Sequence, residues 1–160
     1  MTRELFRVTV DEPNYSNVLG EPLSDDQKDS LPNTVETEGD LRVWAINETS
    51  PAANTYHNYM KPGDGLLFYK VTRGLAPDEK RYVGMGVIGE QFETDGNVAV
   101  KLFNTSVATL MFTVEDFERI SKSVEAVEPV LGYKQHPQRT QRVKPDRFRS
   151  VEAVFETLQG

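Results

Sequence analysis

The chain has 160 residues, of which 38% are hydrophobic and 27% charged; this suits one compact domain with its own core and argues against disorder. It has no cysteine, so a disulfide scaffold, a thiolate-zinc centre and a cysteine nucleophile are excluded and a reducing compartment, the cytoplasm, is the expected setting. A formal charge of −7, from 25 acidic against 18 basic residues, argues against loose binding of nucleic acid by the average surface.

Along the chain, the N-terminal MTRELFRVTV alternates polar and apolar residues. It has no apolar run ending in a small-residue cleavage site, and later apolar stretches fall short of the ~20 residues of a membrane span, so neither export nor membrane insertion is expected. Period-two alternation and β-branched content predict six strands, at Glu4 to Val10, Leu41 to Ile46, Leu66 to Thr72, Arg81 to Ile88, Asn97 to Phe103 and Val107 to Phe112. Between the first two, Asp11 to Asp40 has three prolines, two glycines and little periodicity, and reads as a long loop insertion at about residues 11–40.

Three helices are expected. The first starts at Ser50 as N-cap with Pro51 as its first helical residue, and puts Tyr56, Tyr59 and Met60 on one face. The second starts at Thr113, with Asp116 three residues on and Phe117, Ile120 and Val124 on one stripe. A third opens at Ser150 and spaces Val151, Val154, Phe155 and Leu158 as a helix that docks on a core. The expected architecture is one α+β domain over residues 1–160: a small, curved, mostly antiparallel β-barrel with two or three flanking helices.

Charge is segregated. Tyr133 to Arg149 holds Lys134, Arg139, Arg142, Lys144, Arg147 and Arg149 against the single acid Asp146, whereas Asp11 to Asp40 holds nine acids and only Lys28. The catalytic inventory is thin: His57 and His136 lie outside any HExxH context, and there is no GxSxG, P-loop or helix-opening GxGxxG. No metal site, cofactor or enzymatic activity is expected. Gly84 and Gly86 share one face of a strand, where close packing explains them better than a phosphate loop does.

Trp44, the one tryptophan, sits in a short strand and is followed at the strand end by Asn47 and then by Tyr56 and Tyr59 of the next helix. A lone tryptophan is most often core. An indole face beside amide groups also suits a planar base, which stacks while an asparagine reads donor and acceptor positions on its edge.

The succession Val43-Trp44-Ala45-Ile46, an aromatic-bearing helix, Met60-Lys61-Pro62-Gly63-Asp64, Leu67-Phe68-Tyr69 and Tyr82-Val83-Gly84-Met85-Gly86-Val87 resembles the shared core of the PUA-like superfamily, EVE and YTH domains in particular. The resemblance covers about 50 residues well. It implies a non-enzymatic module that holds a modified base, flipped from its helix, in an aromatic cage. Trp44 matches one cage wall; Asn14-Tyr15-Ser16-Asn17 matches the segment that sends polar groups to the base; Phe92 and Phe103 are candidates for the second wall. The base-binding set is then Trp44, Asn47, Asn14, Tyr15, Asn17, Tyr56 and Phe103, with Lys134, Arg139, Arg142 and Lys144 on phosphate.

Such domains also occur in the DNA-recognition subunits of McrBC-type restriction systems, which implies methylated DNA as partner and an NTPase or nuclease beyond residue 160. The alternatives are an RNA modified-base reader, an ASCH-like nucleoside amidohydrolase and a protein-interaction module. Against the amidohydrolase, Lys61 lies in a KPGD turn and not in a GxKxxExR motif.

Overall fold

Four of the expected strands form close to where the alternation placed them: β1 (Leu5–Val10), β2 (Arg42–Ile46), β3 (Gly65–Lys70) and β4 (Arg81–Glu93). The computed structural model describes residues 3–71 and 80–159, so the end of the third expected strand, Thr72, lies outside the described residues. The chain divides into two units, the first from residues 1–11, 63–87 and 116–160 and the second from residues 12–62 and 88–115.

Two expected elements are replaced. Asn97 to Phe103 is not a strand but a helix, α3 (Gly96–Phe103). The Asp95 carboxylate caps it by accepting from Val98 N–H at 3.0 Å, and Ala99, Leu102 and Phe103 are its buried stripe. The alternation of Val98, Val100 and Leu102 mimicked a strand, and the cap decided otherwise. Conversely, the helix expected from Thr113 falls on most of β5 (Leu110–Ser123), from its fourth residue onward. Val43 opposite Thr113 and Arg42 opposite Val114 hold that stretch in an antiparallel ladder. Asp116 takes a left-handed φ of 53° within this strand, and the helix-like spacing of Phe117 and Ile120 falls in extended chain.

Short helices complete the chain: α1 (Asp25–Asp29), α2 (Ala52–Asn58), α4 (Val124–Val127) and α5 (Val151–Gln159). With β6 (Gln141–Arg142), the strands hydrogen-bond in the order β2-β5-β4-β3-β1-β6. The sheet is mixed. β1 and β3 run parallel, while β1–β6, β2–β5 and β3–β4 are antiparallel.

In the first unit, Leu5, Leu67, Met85, Val127, Val143 and Val154 belong to one buried cluster under α5. The Ser150 hydroxyl caps α5 from Ala153 N–H at 3.1 Å, as its sequence signals. The glycines here mark close approach. A Cβ on Gly84 would lie 2.6 Å from the Phe117 ring, and one on Gly65 2.5 Å from Val151, which fits the packing reading of Gly84.

In the second unit, the expected insertion is tied down along its length. Val18, Leu19, Leu23, Leu31 and Val35 are buried. Leu23 N–H donates to Leu41 O at 2.8 Å, and Arg42 Nε donates to Leu19 O at 2.9 Å. Ser24 and Gln27 form a reciprocal capping box at the start of α1. At α2 the cap differs from the expectation: Pro51 is the N-cap, and the Ser50 hydroxyl donates to Asn47 O at 2.8 Å.

Candidate nucleic-acid interface

All seven base-binding candidates fall in the second unit and all four phosphate candidates in the first. In the second unit, the pairing of β2 with β5 sets Trp44 opposite Phe112. The indole is only 4% exposed and meets the Phe103 ring edge to face at 5.4 Å, so the two aromatic candidates fill each other's space. Tyr56 is buried on α2, where its hydroxyl donates to Met111 O at 2.8 Å. Burial, reinforced by the Glu93 carboxylate, pushes that phenol well above its ordinary range, so it is a donor and not a titrating group.

The amides are placed differently. Asn47 is exposed, and its carbonyl oxygen accepts from Thr49 N–H and Oγ1–H at 2.7 Å, a turn that fixes the exit of β2. Asn14 is half-buried, Tyr15 buried and Asn17 exposed, all on the π-helical turn of Tyr15–Leu19 or its entry. Phe92, half-buried, offers its backbone oxygen to Tyr56 at 3.3 Å.

In the first unit the basic segment is organised from beneath by Arg7, a charge in the middle of the apolar β1. Arg7 is 4% exposed; Nη1 donates to Glu128 Oε2 and to Gln135 O, both at 3.1 Å, and Nη2 donates to Gln141 Oε1 at 3.0 Å. Glu128, 2% exposed, also accepts from the Tyr82 hydroxyl at 3.0 and 2.9 Å. Burial pushes the Glu128 carboxyl above the usual range, while Arg7 and Tyr82 pull it back. Burial and the same carboxylate raise the Tyr82 phenol far above normal.

The Arg7 guanidinium lies 3.8 Å from the Tyr133 ring centroid, and Arg147 lies 4.4 Å from the same centroid. His136 stacks on Tyr69 at 5.2 Å and 25°. Burial, then the nearby Lys80 and Arg7 cations, lowers the imidazole pKa, which keeps it neutral at pH 7. Above this frame Lys134, Arg139 and Lys144 are exposed. Arg142 is half-buried and paired with Glu4, Nη2 to Oε1 at 3.3 Å, so its charge is already committed.

Sequence reasoning missed Arg7, Tyr82, Glu128 and Tyr133. One signal was present: Arg7 interrupts a strand whose Leu5, Phe6 and Val8 are all fully buried, and a charge in such a run must find a partner. Glu128 and Tyr82 carry no comparable mark.

These elements define a PUA-like fold, the class expected from the sequence. Its solved neighbours include the N-terminal domain of McrB from Thermococcus gammatolerans bound to m5C DNA, at TM-score 0.72 and 16% identity over 98% of both chains. They also include a variant of the ASCH protein of Zymomonas mobilis, at TM-score 0.53 and 9% identity over 96% of both chains. A hypothetical protein from Leishmania major matches at TM-score 0.54 and 13% identity, over 98% of this chain and 95% of that one. No family model and no curated protein matches the sequence. Among the described residues, no helix is long and apolar enough to cross a membrane.

Proposed function

We propose that the chain is a non-enzymatic reader of a modified, methylated base in DNA, acting as the recognition domain of a modification-dependent restriction system. The observation that carries this reading is the likeness, over nearly the whole of both chains, to a McrB domain bound to m5C DNA. The exposed cations Lys134, Arg139 and Lys144, gathered on one segment of an otherwise acidic chain, supply the phosphate contacts that hold the duplex. In this reading the base is flipped, at a cost of a few kcal/mol that those contacts offset.

The seat for the base is the Trp44 indole. Phe103, the last residue of α3, lies against it, and the next residue, Asn104, is left-handed at φ 60° and followed by exposed Thr105 and Ser106. Movement at that helix end takes the Phe103 edge off the indole and makes room for one ring. Asn14 and Asn17 on the turn after β1, with Asn47 at the end of β2, read the edge of the base, and Tyr15 and Tyr56 line the site. Motor and nuclease functions belong to partners or to sequence outside these residues, and the cytoplasm is the setting.

The test is fluorescence anisotropy with methylated and unmodified DNA and RNA of one sequence at several salt concentrations, with tryptophan emission recorded in parallel. Tighter binding to the methylated DNA, with quenching of the buried indole, is the expected result. Equal affinity for every strand at every salt concentration would sink the reader; a preference for modified RNA would transfer the same site to RNA.

A further inference from the structure

From Tyr133 to Lys144, every residue other than the exposed cations is fastened either to the first unit or within the segment itself. The Tyr133 ring packs against both the Arg7 and Arg147 guanidinium groups, and its hydroxyl accepts from Lys144 N–H at 3.3 Å. Gln135 gives its backbone oxygen to Arg7, and His136 stacks on Tyr69 and contacts Gln138 at 3.2 Å. Pro137 and Thr140 are buried. Gln141 takes the second arm of Arg7, Arg142 pairs with Glu4, and Val143 N–H donates to Leu5 O at 2.8 Å. Lys134, Arg139 and Lys144 are what remains, and they stand exposed between these moorings.

We infer that Arg7 and Tyr133 are positioning residues of a preorganised phosphate clamp: the buried Arg7–Glu128 pair and the Tyr133 slab fix the backbone from which the three free cations meet a phosphodiester chain. This rests on the phosphate role proposed above for that segment. Neither residue touches the ligand in this account, since Arg7 is sealed from solvent and the Tyr133 ring is taken up by two guanidinium groups. Their contribution is that the three cations reach successive phosphates without the ordering cost that a loose loop would meet on binding. A loose loop of equal charge would still attract DNA, but with fewer simultaneous contacts and therefore fewer released counterions.

The experiment uses unmodified duplex DNA, titrated by anisotropy across a salt series, with circular dichroism and thermal melting to follow the fold. The double variant Arg7→Met with Glu128→Gln removes the buried pair without leaving either charge alone in the core. It changes no group that could itself reach a phosphate, so a merely structural role predicts no change in the salt slope. The expected result is a folded protein with about tenfold weaker binding and a log–log slope shallower by at least ~0.9, the value of one lost phosphate contact. A folded double variant with unchanged affinity and slope overturns the inference.

Tyr133→Leu, a change at a half-buried site, is the second arm should the core variant fail to fold. About three- to fivefold weaker binding with a shallower slope is expected, and an unchanged slope there overturns the inference equally. Wild-type protein that binds DNA without regard to methylation refutes the reader alone, whereas wild-type protein with no affinity for the duplex removes the clamp as well.

Discussion

The two units differ in charge. The first holds fourteen basic and twelve acidic residues, the second four basic and thirteen acidic. Yet the aromatic and amide side chains proposed to read a base, from Asn14 to Phe103, all belong to the acidic unit. An acidic surface repels phosphate over roughly the ~8 Å screening length of physiological salt, so affinity for a backbone has to come from the first unit. The cores differ as well. The first unit buries an arginine, a glutamate and a tyrosine in one hydrogen-bonded network, while around Trp44 and Phe103 the second buries aromatic surface, its Tyr56 hydroxyl satisfied by backbone oxygens. The contrast teaches that, in the proposed reading, adhesion and discrimination rest on different residues and can be disturbed separately.

The sharpest test of that separation is Trp44→Ala. With the indole nearly sealed, its truncation should cost about 3–5 kcal/mol of stability, measured by chemical denaturation, because a large cavity opens beside Phe103. The milder Trp44→Phe should stay folded and lose methylation preference while keeping its affinity for unmodified DNA; a full preference retained by that variant would remove Trp44 from the reading role. Next in size, reversing two cations with Lys134→Glu and Arg139→Glu should weaken binding to every duplex about a hundredfold, whereas Glu38→Lys in the second unit should change it little. Equal effects at both places would erase the contrast between the units.

Smaller again, Gly84→Ala forces a methyl against Phe117 and should cost about 1–3 kcal/mol in thermal or denaturant unfolding without changing methylation preference. The smallest effect concerns pH. His136 is held neutral by burial and by Lys80 and Arg7, so its folded pKa lies below the unfolded value of about 6.5. The folded state therefore binds fewer protons than the unfolded one in that window, and this contribution is present above pH 6.5 and lost as the pH falls through it toward the folded pKa. Melting temperatures measured from pH 7.5 to 5 should fall less steeply in His136→Asn than in the wild type; identical slopes would show that the imidazole is not restrained by this environment.

Much of the frame was readable in advance. β1 to β4, the Ser150 cap of α5 and the close packing at Gly84 follow from local patterns that tertiary contacts did not overrule. The two errors share a cause. Val98, Val100 and Leu102 alternate like a strand, and Phe117, Ile120 and Val124 are spaced like a helix. The first pattern yielded to a cap at Asp95, and the second falls in the continuation of β5 beyond Thr113 and Val114, which pair with Val43 and Arg42. Neither event is visible in hydrophobic periodicity. The segment 11–40 looked like an open loop because its apolar anchors are spaced irregularly, although several are buried.

The amino-acid sequence by itself determined the absence of thiol chemistry and the gathering of cations after Tyr133, because these depend on composition and on short-range order along the chain, while its short motifs carried the resemblance that pointed to the PUA-like fold. Only the tertiary structure decided that Trp44 is sealed, that Arg142 is already paired and that Arg7 braces the basic segment from beneath. Each of these turns on partners far apart in sequence: Phe103 for Trp44, Glu4 for Arg142, Glu128 and Gln135 for Arg7. The fate of a charge or a ring is set by what surrounds it, and a linear pattern carries no record of that neighbourhood until the strands have paired.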